Sequence, residues 1–185
     1  MTIIYILYII AVILIFVQIS YFVWILPPFI KKTSKNQTIE TPKITFQFLI
    51  SVKNESHNLE RLLKALIRQK DFYINRSITT PIILVNDHST SRELDLMNDI
   101  LKEYPMVKMV NNKGQTGKKH AIQQGMKFVE SDIVFFLDAD CQPASEDWLT
   151  GMLALIENQD VVLGYGPFFK RNNFLNRLIR FDSCW

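Results

Sequence analysis

The 185-residue sequence predicts an α/β domain, a mostly parallel sheet with helices on both faces, preceded by one N-terminal transmembrane helix. Three observations predict it. The first thirty residues are almost wholly apolar, the remainder alternates short apolar runs with amphipathic ones, and several apolar runs end abruptly in polar clusters. Strand–helix alternation of this kind builds βαβ units, whose crossovers lay helices over both faces of a parallel sheet.

From Ile3 to Leu26 every residue is apolar or aromatic except Gln18 and Ser20. As a helix this run is roughly 36 Å long, more than the roughly 30 Å hydrocarbon core of a bilayer. Tyr21 and Trp24 lie near one end, where amphipathic rings prefer the interface. Pro27-Pro28 is expected to stop the helix. A cleaved signal peptide is the competing reading, but no basic residues precede the run and no small-x-small site follows it. A buried core helix would carry a polar face, and none is visible. Residues 1–30 are therefore expected to be a retained single-pass anchor. Lys31, Lys32 and Lys35 follow it directly, which predicts that the rest of the chain faces the cytoplasm.

Residues 31–43 are polar and aperiodic and read as a linker, leaving 44–185 as the domain. Ile44 to Val52 carries Phe46, Phe48, Ile50 and Val52 at period two, a strand. Leu59, Leu62, Leu63, Leu66 and Ile67 repeat at helical spacing. Ile82 to Val85 suits a central parallel strand buried on both faces. Leu94, Met97, Ile100 and Leu101 mark the next helix, and Val107 to Val110 the third strand. Ala121, Ile122, Gly125, Met126 and Val129 fit a further helix, and Ile133 to Leu137 a fourth strand. Trp148, Leu149, Met152, Leu153 and Ile156 mark another helix, followed by a fifth strand at Val161 to Leu163. Phe174, Leu175, Leu178, Ile179 and Phe181 form an amphipathic pattern, packed on the domain or resting on a membrane surface.

Charge is nearly balanced, 21 Lys+Arg against 18 Asp+Glu. No basic stripe is interleaved with aromatics, so nothing argues for nucleic acid. Cys141 and Cys184 offer neither a disulfide framework nor metal-ligand spacing, which makes a reducing compartment the default. Cys141 reads as a packed small residue. His57, His88 and His120 are dispersed, without ligand spacing.

Ligands of parallel sheets sit at the carboxyl ends of the strands, so the strand exits carry the chemistry. They read Ser51-Val52-Lys53-Asn54-Glu55, Asn86-Asp87-His88-Ser89, Asn112 to Lys119, and Asp138-Ala139-Asp140. Two carboxylates one residue apart, Asp138 and Asp140, repel and raise each other's pKa unless a cation joins them. A few hard oxygen ligands suit Mg²⁺ or Mn²⁺, whose shells are completed by water and a substrate diphosphate. Alternatively one of them caps the next helix, although Ser145 before Glu146 and Asp147 is the better cap. Asp87 taken alone fits an Asx-turn or a helix cap. The basic, Gly-bearing loop Lys113 to Lys119 suits an anion near a helix N-terminus or is a solvated turn. Its Gly114 and Gly117 spacing is not that of a Walker A loop.

These exits, in this order, resemble those of the family 2 glycosyltransferases of the GT-A fold, from about Ile44 to Trp185. Leu49 to Glu55 resembles the family's first strand and its Asn-Glu exit, and Ile83 to Ser89 its VDD-x-S segment, with Asn86 in place of the first acid. Gly117-Lys118-Lys119-His120-Ala121 is similar to GK-x-x-A, and Phe136 to Asp140 followed by Trp148-Leu149 to the D-x-D motif and its helix. The resemblance implies a GT-A-like, Rossmann-type sheet that binds a nucleotide-diphosphate sugar with a divalent cation. Asp87 would meet the base beside the Ser51 and Val52 backbone, with Glu55 in the same pocket. Lys118 would contact the nucleotide or its phosphates, Asp138 would lie near ribose and metal, and Asp140 would ligate the metal. The acceptor would be a lipid or a cell-envelope polysaccharide at a bacterial-type inner membrane.

Such enzymes carry a later acidic pair that supplies the base, and often a Gln/Arg-x-x-Arg-Trp motif. The sequence reaches Trp185 without either, and Asp182 is the only acid near it, so no catalytic base is assigned. The expectation is a donor-binding N-terminal half without its acceptor half. A nucleotide-binding module without turnover is the alternative. A nucleotidyltransferase would carry a Gly-rich loop where Lys53-Asn54-Glu55 stands.

Overall fold

A computed structural model of the chain describes residues 2–30, 44–70, 72–74, 78–156, 159–164, 166 and 172–177. The chain divides into two compact units, Met1–Thr38 and Ile39–Trp185.

Among its described residues the first unit contains one helix, α1 (Thr2–Ile30). Its window Ile4–Tyr21 has a mean hydropathy of 2.4 and none of it is buried, so it is long and apolar enough to cross a membrane. The helix runs to Ile30, past Pro27-Pro28, which were expected to stop it. Proline's fixed φ is already helical, and only the last turn forgoes the missing N–H bonds.

The second unit is a parallel α/β layer. In order along the chain come β1 (Phe46–Val52), α2 (Ser56–Ile67), a 3-10 turn at Phe72–Ile74, and β2 (Ile82–Asn86). They are followed by α3 (Ser91–Leu101), β3 (Val107–Asn111), α4 (Lys118–Met126), β4 (Ile133–Asp138) and α5 (Trp148–Ile156). Among the described residues the sheet has four strands in the order β3-β2-β1-β4, all pairs parallel. Chain order reverses at β1: β2 and β3 lie to one side of it and β4 to the other. The carboxyl ends of β1 and β4 thus form a topological switch point, where open sheets of this kind leave a crevice.

Period-two alternation in β1 explains the layering. Phe46, Phe48, Ile50 and Val52 face a core completed by Leu59, Leu62, Leu63 and Leu66 of α2, Met97 of α3 and Leu149 of α5. Leu49 faces the other side with Ile83, Val85 and Ala121 of α4. Helices therefore cover both faces, as the alternation of elements predicts. Gly125 brings α4 in close: a Cβ there would lie 2.3 Å from Leu49 Cδ1 and 2.7 Å from Val85 Cγ2. Any substitution there forces the buried Leu49 and Val85 side chains or α4 itself to shift.

Three expectations need correction. Val129 lies beyond α4, because Phe128 N–H bonds Gly125 O (2.9 Å) and Val129 N–H bonds Met126 O (3.3 Å), which tightens the last turn. Val161 to Leu163 form no strand: no described strand pairs with them, and Val161 and Leu163 are 73% and 92% exposed. Ser145 does not present its hydroxyl to α5. Its carbonyl accepts from Trp148 N–H (3.3 Å), while the buried Gln69 Oε1 takes Leu149 N–H (2.9 Å). Of the amphipathic run after Arg171, only Phe174 to Arg177 are described as helical; Leu178, Ile179, Phe181, Asp182 and Cys184 lie outside the described residues.

Candidate functional site

The four strand exits converge on a recess of about 410 Å³ lined by Ser51, Val52, Lys53, Glu55, Asp87, Thr116, Gly117, Lys118, Asp138, Ala139 and Asp140. It brings together all seven residues singled out from the sequence: Ser51, Val52, Glu55, Asp87, Lys118, Asp138 and Asp140. A second space of about 460 Å³, mainly apolar, runs along the outer edge of β4 beside Phe136 and Trp148 and shares Ser51, Lys118 and Asp138 with the first. The charged groups converge in the smaller one.

The first two exits are laced together. Asn54 N–H donates to Ser89 Oγ (3.0 Å), and Asn54 Oδ1 accepts from Thr90 N–H (2.9 Å). Asn54 and His88 both have positive φ, 56° and 59°. Backbone strain of this kind persists only where the surroundings impose it, and here it sits at the rim of the recess. Thr90 caps α3, its side chain accepting from Glu93 N–H, and Glu93 Oε2 in turn accepts from Ser56 N–H (3.1 Å) at the start of α2. Glu55 occupies the N-cap position of α2 without a side-chain cap, and its carboxylate accepts from Asn58 Nδ2 (3.0 Å).

Asp87 is therefore not the cap of α3. Its N–H donates to Val52 O (2.8 Å), which fixes it beside β1. Its carboxylate accepts from Asn112 Nδ2 (2.8 Å) and Gly117 N–H (2.9 Å), and from His88 Nδ1 (3.2 Å) in the tautomer protonated at that nitrogen. Burial alone would raise the carboxyl pKa, but the hydrogen bonds from Asn112, His88 and Gly117, helped by the Lys53 charge, hold it below the usual carboxylate range. Asn112 also donates to Gln115 O (2.9 Å) and accepts from Gly114 N–H (3.0 Å), which shapes the loop into α4. That loop turns at Gly117, whose φ of 135° favours glycine. Asn112 has no role in the sequence reading. A buried amide at a strand exit is the signal that points to it.

Asn86, the departure from the two-acid pattern, is structural. Its carboxamide donates to Asn111 Oδ1 (2.9 Å) and accepts from Ser89 N–H (3.0 Å), and an aspartate could not do the first.

At the fourth exit Lys118, the first residue of α4, pairs with Asp138. Among the described residues Asp140 has no protein partner for its carboxylate, and neither acid caps α5. Asp138, Asp140 and Cys141 each offer a ligand atom within 4.8 Å of the others. Cys141 is exposed rather than packed, because the turn closed by its N–H on Asp138 O (3.0 Å) carries it out of the sheet. Partial covering of its sulfur, with Asp140 and Asp138 nearby, pushes the thiol pKa up, so it is protonated near neutrality. This donor set fits a hard divalent cation held by carboxylate oxygen and a ligand's phosphates.

A laced strand exit, a basic loop opening a helix and an acid pair at a sheet switch point define an α/β protein with its candidate site at the carboxyl ends of parallel strands. Residues 48–182 match the model of glycosyl transferase family 2, and the chain belongs to that family. The dolichyl-phosphate β-glucosyltransferase ALG5A of Trichomonas vaginalis is 25% identical over 80% of this chain and 48% of its own length. The glycosyltransferase YdaM of Bacillus subtilis is 29% identical over 77% of this chain and 33% of its own. The chain thus spans less than half the length of these relatives. A mannosyltransferase of Pyrobaculum calidifontis solved with GDP-Man and Mn²⁺ superposes with a TM-score of 0.56, at 18% identity over 69% of this chain and 37% of that one. GalNAc-T7 with UDP, GalNAc and Mn²⁺ gives 0.52, at 24% identity over 63% and 21%. The fold is GT-A.

Proposed function

We propose that the chain is the donor-binding part of a membrane-anchored glycosyltransferase that moves a sugar from a nucleoside-diphosphate donor to a lipid or cell-envelope glycan. The observation that carries this reading is the recess at the β1/β4 switch point, where, among the described residues, the acid pair Asp138 and Asp140 has a single ion-paired lysine, Lys118, and Asp140 is left without a protein partner. Asp87 meets the base, the Ser51 and Val52 backbone and Glu55 line the pocket beside it, and Asp138 lies toward the ribose. Asp140, with Asp138, holds Mg²⁺ or Mn²⁺. Lys118 compensates Asp138 and faces the same recess, so it reaches a diphosphate without leaving it. The cation, when bound, offsets charge on the departing nucleoside diphosphate.

Relatives support the class of acceptor: among them are dolichyl-phosphate glucosyltransferases and a β-monoglucosyldiacylglycerol synthase of Nostoc, 28% identical over 61% of this chain. The helix α1 anchors the domain, and Lys31, Lys32 and Lys35 orient it toward the cytoplasm of a bacterial-type inner membrane. The structural neighbours carry different bases, guanine in one and uracil in the other, so the fold alone does not choose between them.

The test is calorimetric titration of the full chain in detergent with UDP and GDP, with Mn²⁺ and after EDTA. Binding is expected only with metal, because without it two to three phosphate charges meet Asp138 and Asp140 directly. Equal affinity after EDTA would remove the metal role. No binding in either condition would remove the donor-site reading.

A further inference from the structure

Asp87 lines the recess, yet only 7% of its side chain is exposed. An ionised carboxylate offers about four acceptor directions, two on each oxygen. Among the described residues the protein fills three: Oδ1 accepts from Asn112 Nδ2 and His88 Nδ1, and Oδ2 from Gly117 N–H. Two of these donors are not readily given up, and the third, His88 Nδ1, donates in the tautomer that carries its proton there. Asn112 is held by Gln115 O and Gly114 N–H, and Gly117 begins the turn into α4. One acceptor direction is left for a ligand, and it lies on Oδ2.

From this count we infer that the donor nucleotide carries a base with a single imide N–H between two carbonyls, uracil or thymine, and that guanine is disfavoured. The inference rests on the reading that Asp87 meets the base. Guanine presents two adjacent donors, ring N1–H and the N2 amino group, which pair with a carboxylate through both of its oxygens. Here Oδ1 is already filled, so one guanine donor would be buried without an acceptor. A buried donor left unmet weakens binding about tenfold or more. Uracil or thymine donates one N–H and needs only the direction that remains. Cytosine and adenine present an amino donor with a ring-nitrogen lone pair beside it, and that lone pair would be held against a carboxylate that its three donors keep ionised.

Titration of the full chain in detergent with UDP and GDP, both with Mn²⁺, tests it. The Kd for UDP is expected to be about tenfold or more below that for GDP. Equal affinities, or tighter GDP, would overturn the base assignment while leaving the nucleotide site standing. Failure of both to bind would overturn the two together. A second arm uses His88→Gly, which removes one donor from Oδ1 and keeps the positive φ, where glycine is unstrained. GDP is expected to gain severalfold on UDP in this variant. An unchanged preference alongside normal UDP affinity would show that filling of Oδ1 does not discriminate, and would sink the argument.

Discussion

Asp87 leaves β2 with 7% of its side chain exposed and three donors on its carboxylate. Asp138 leaves β4 with 49% of its side chain exposed and Lys118 beside it, and Asp140, two residues on, is exposed without a protein partner among the described residues. Both exits are acidic and both line the same recess. The first carboxylate is held by the protein and has little left to offer. The second pair carries charge that the protein compensates only in part. Similar residues at similar strand ends thus divide into a part that shapes the site and a part that needs a ligand's charge.

The largest effect expected from this contrast is at Asp140. Outer-shell partners of metal ligands are worth about 10–100-fold in metal affinity, so Asp140→Asn should cost roughly 100-fold in Mn²⁺-dependent nucleotide affinity by calorimetry. Its melting temperature should stay close to the parent's, since no protein contact is lost. Retained affinity in Asp140→Asn would erase the distinction between the two exits.

Asp87→Ala should behave in the opposite way. It strips the acceptor from Asn112 and from Gly117 N–H, at about 2 kcal/mol of stability, read by denaturant melts at pH 7. The sign with pH follows from the lowered carboxyl pKa. Stability from the ionised group is fully present above the unfolded value near pH 4, and it is lost as pH falls through the lower folded value. The gap between parent and Asp87→Ala should therefore narrow only below about pH 4. A gap that closes at higher pH would contradict the hydrogen-bonding scheme.

The smallest effect on stability is expected for Lys118→Met. A half-exposed ion pair contributes about 0–1 kcal/mol, so the melting temperature should barely move. Nucleotide affinity should nevertheless fall, because Asp138 then faces the diphosphate uncompensated. A large loss of stability would place Lys118 among the structural residues instead.

The alternation of β1 and the apolar run of β2 made the core legible, because burial on both faces of a parallel sheet leaves a period and a composition in the sequence. The exits were legible as polar residues that follow apolar ones. Asn112 was not, since its bond to Asp87 joins residues 25 apart and leaves no spacing to read. Asn86 was legible as a departure from a pattern, but its amide pairing with Asn111 depends on the β2–β3 register. Val161 to Leu163 have strand composition, yet pairing belongs to the neighbour, and none is present among the described residues. The Pro27-Pro28 error came from treating the ring as a stop where it costs only terminal hydrogen bonds.

The absent Cβ of Gly125 has a mechanical consequence. With Leu49 and Val85 against its backbone, α4 is wedged on the sheet as a stiff strut, and its first turn holds Lys118. Sliding that helix to meet a ligand would press its backbone against Leu49 and Val85. Compliance falls instead to the Asn112–Gly117 segment, whose hydrogen bonds to Asp87 double as its tether. Any give in the floor of the pocket is therefore coupled to the grip on Asp87, and the two loosen or tighten as one.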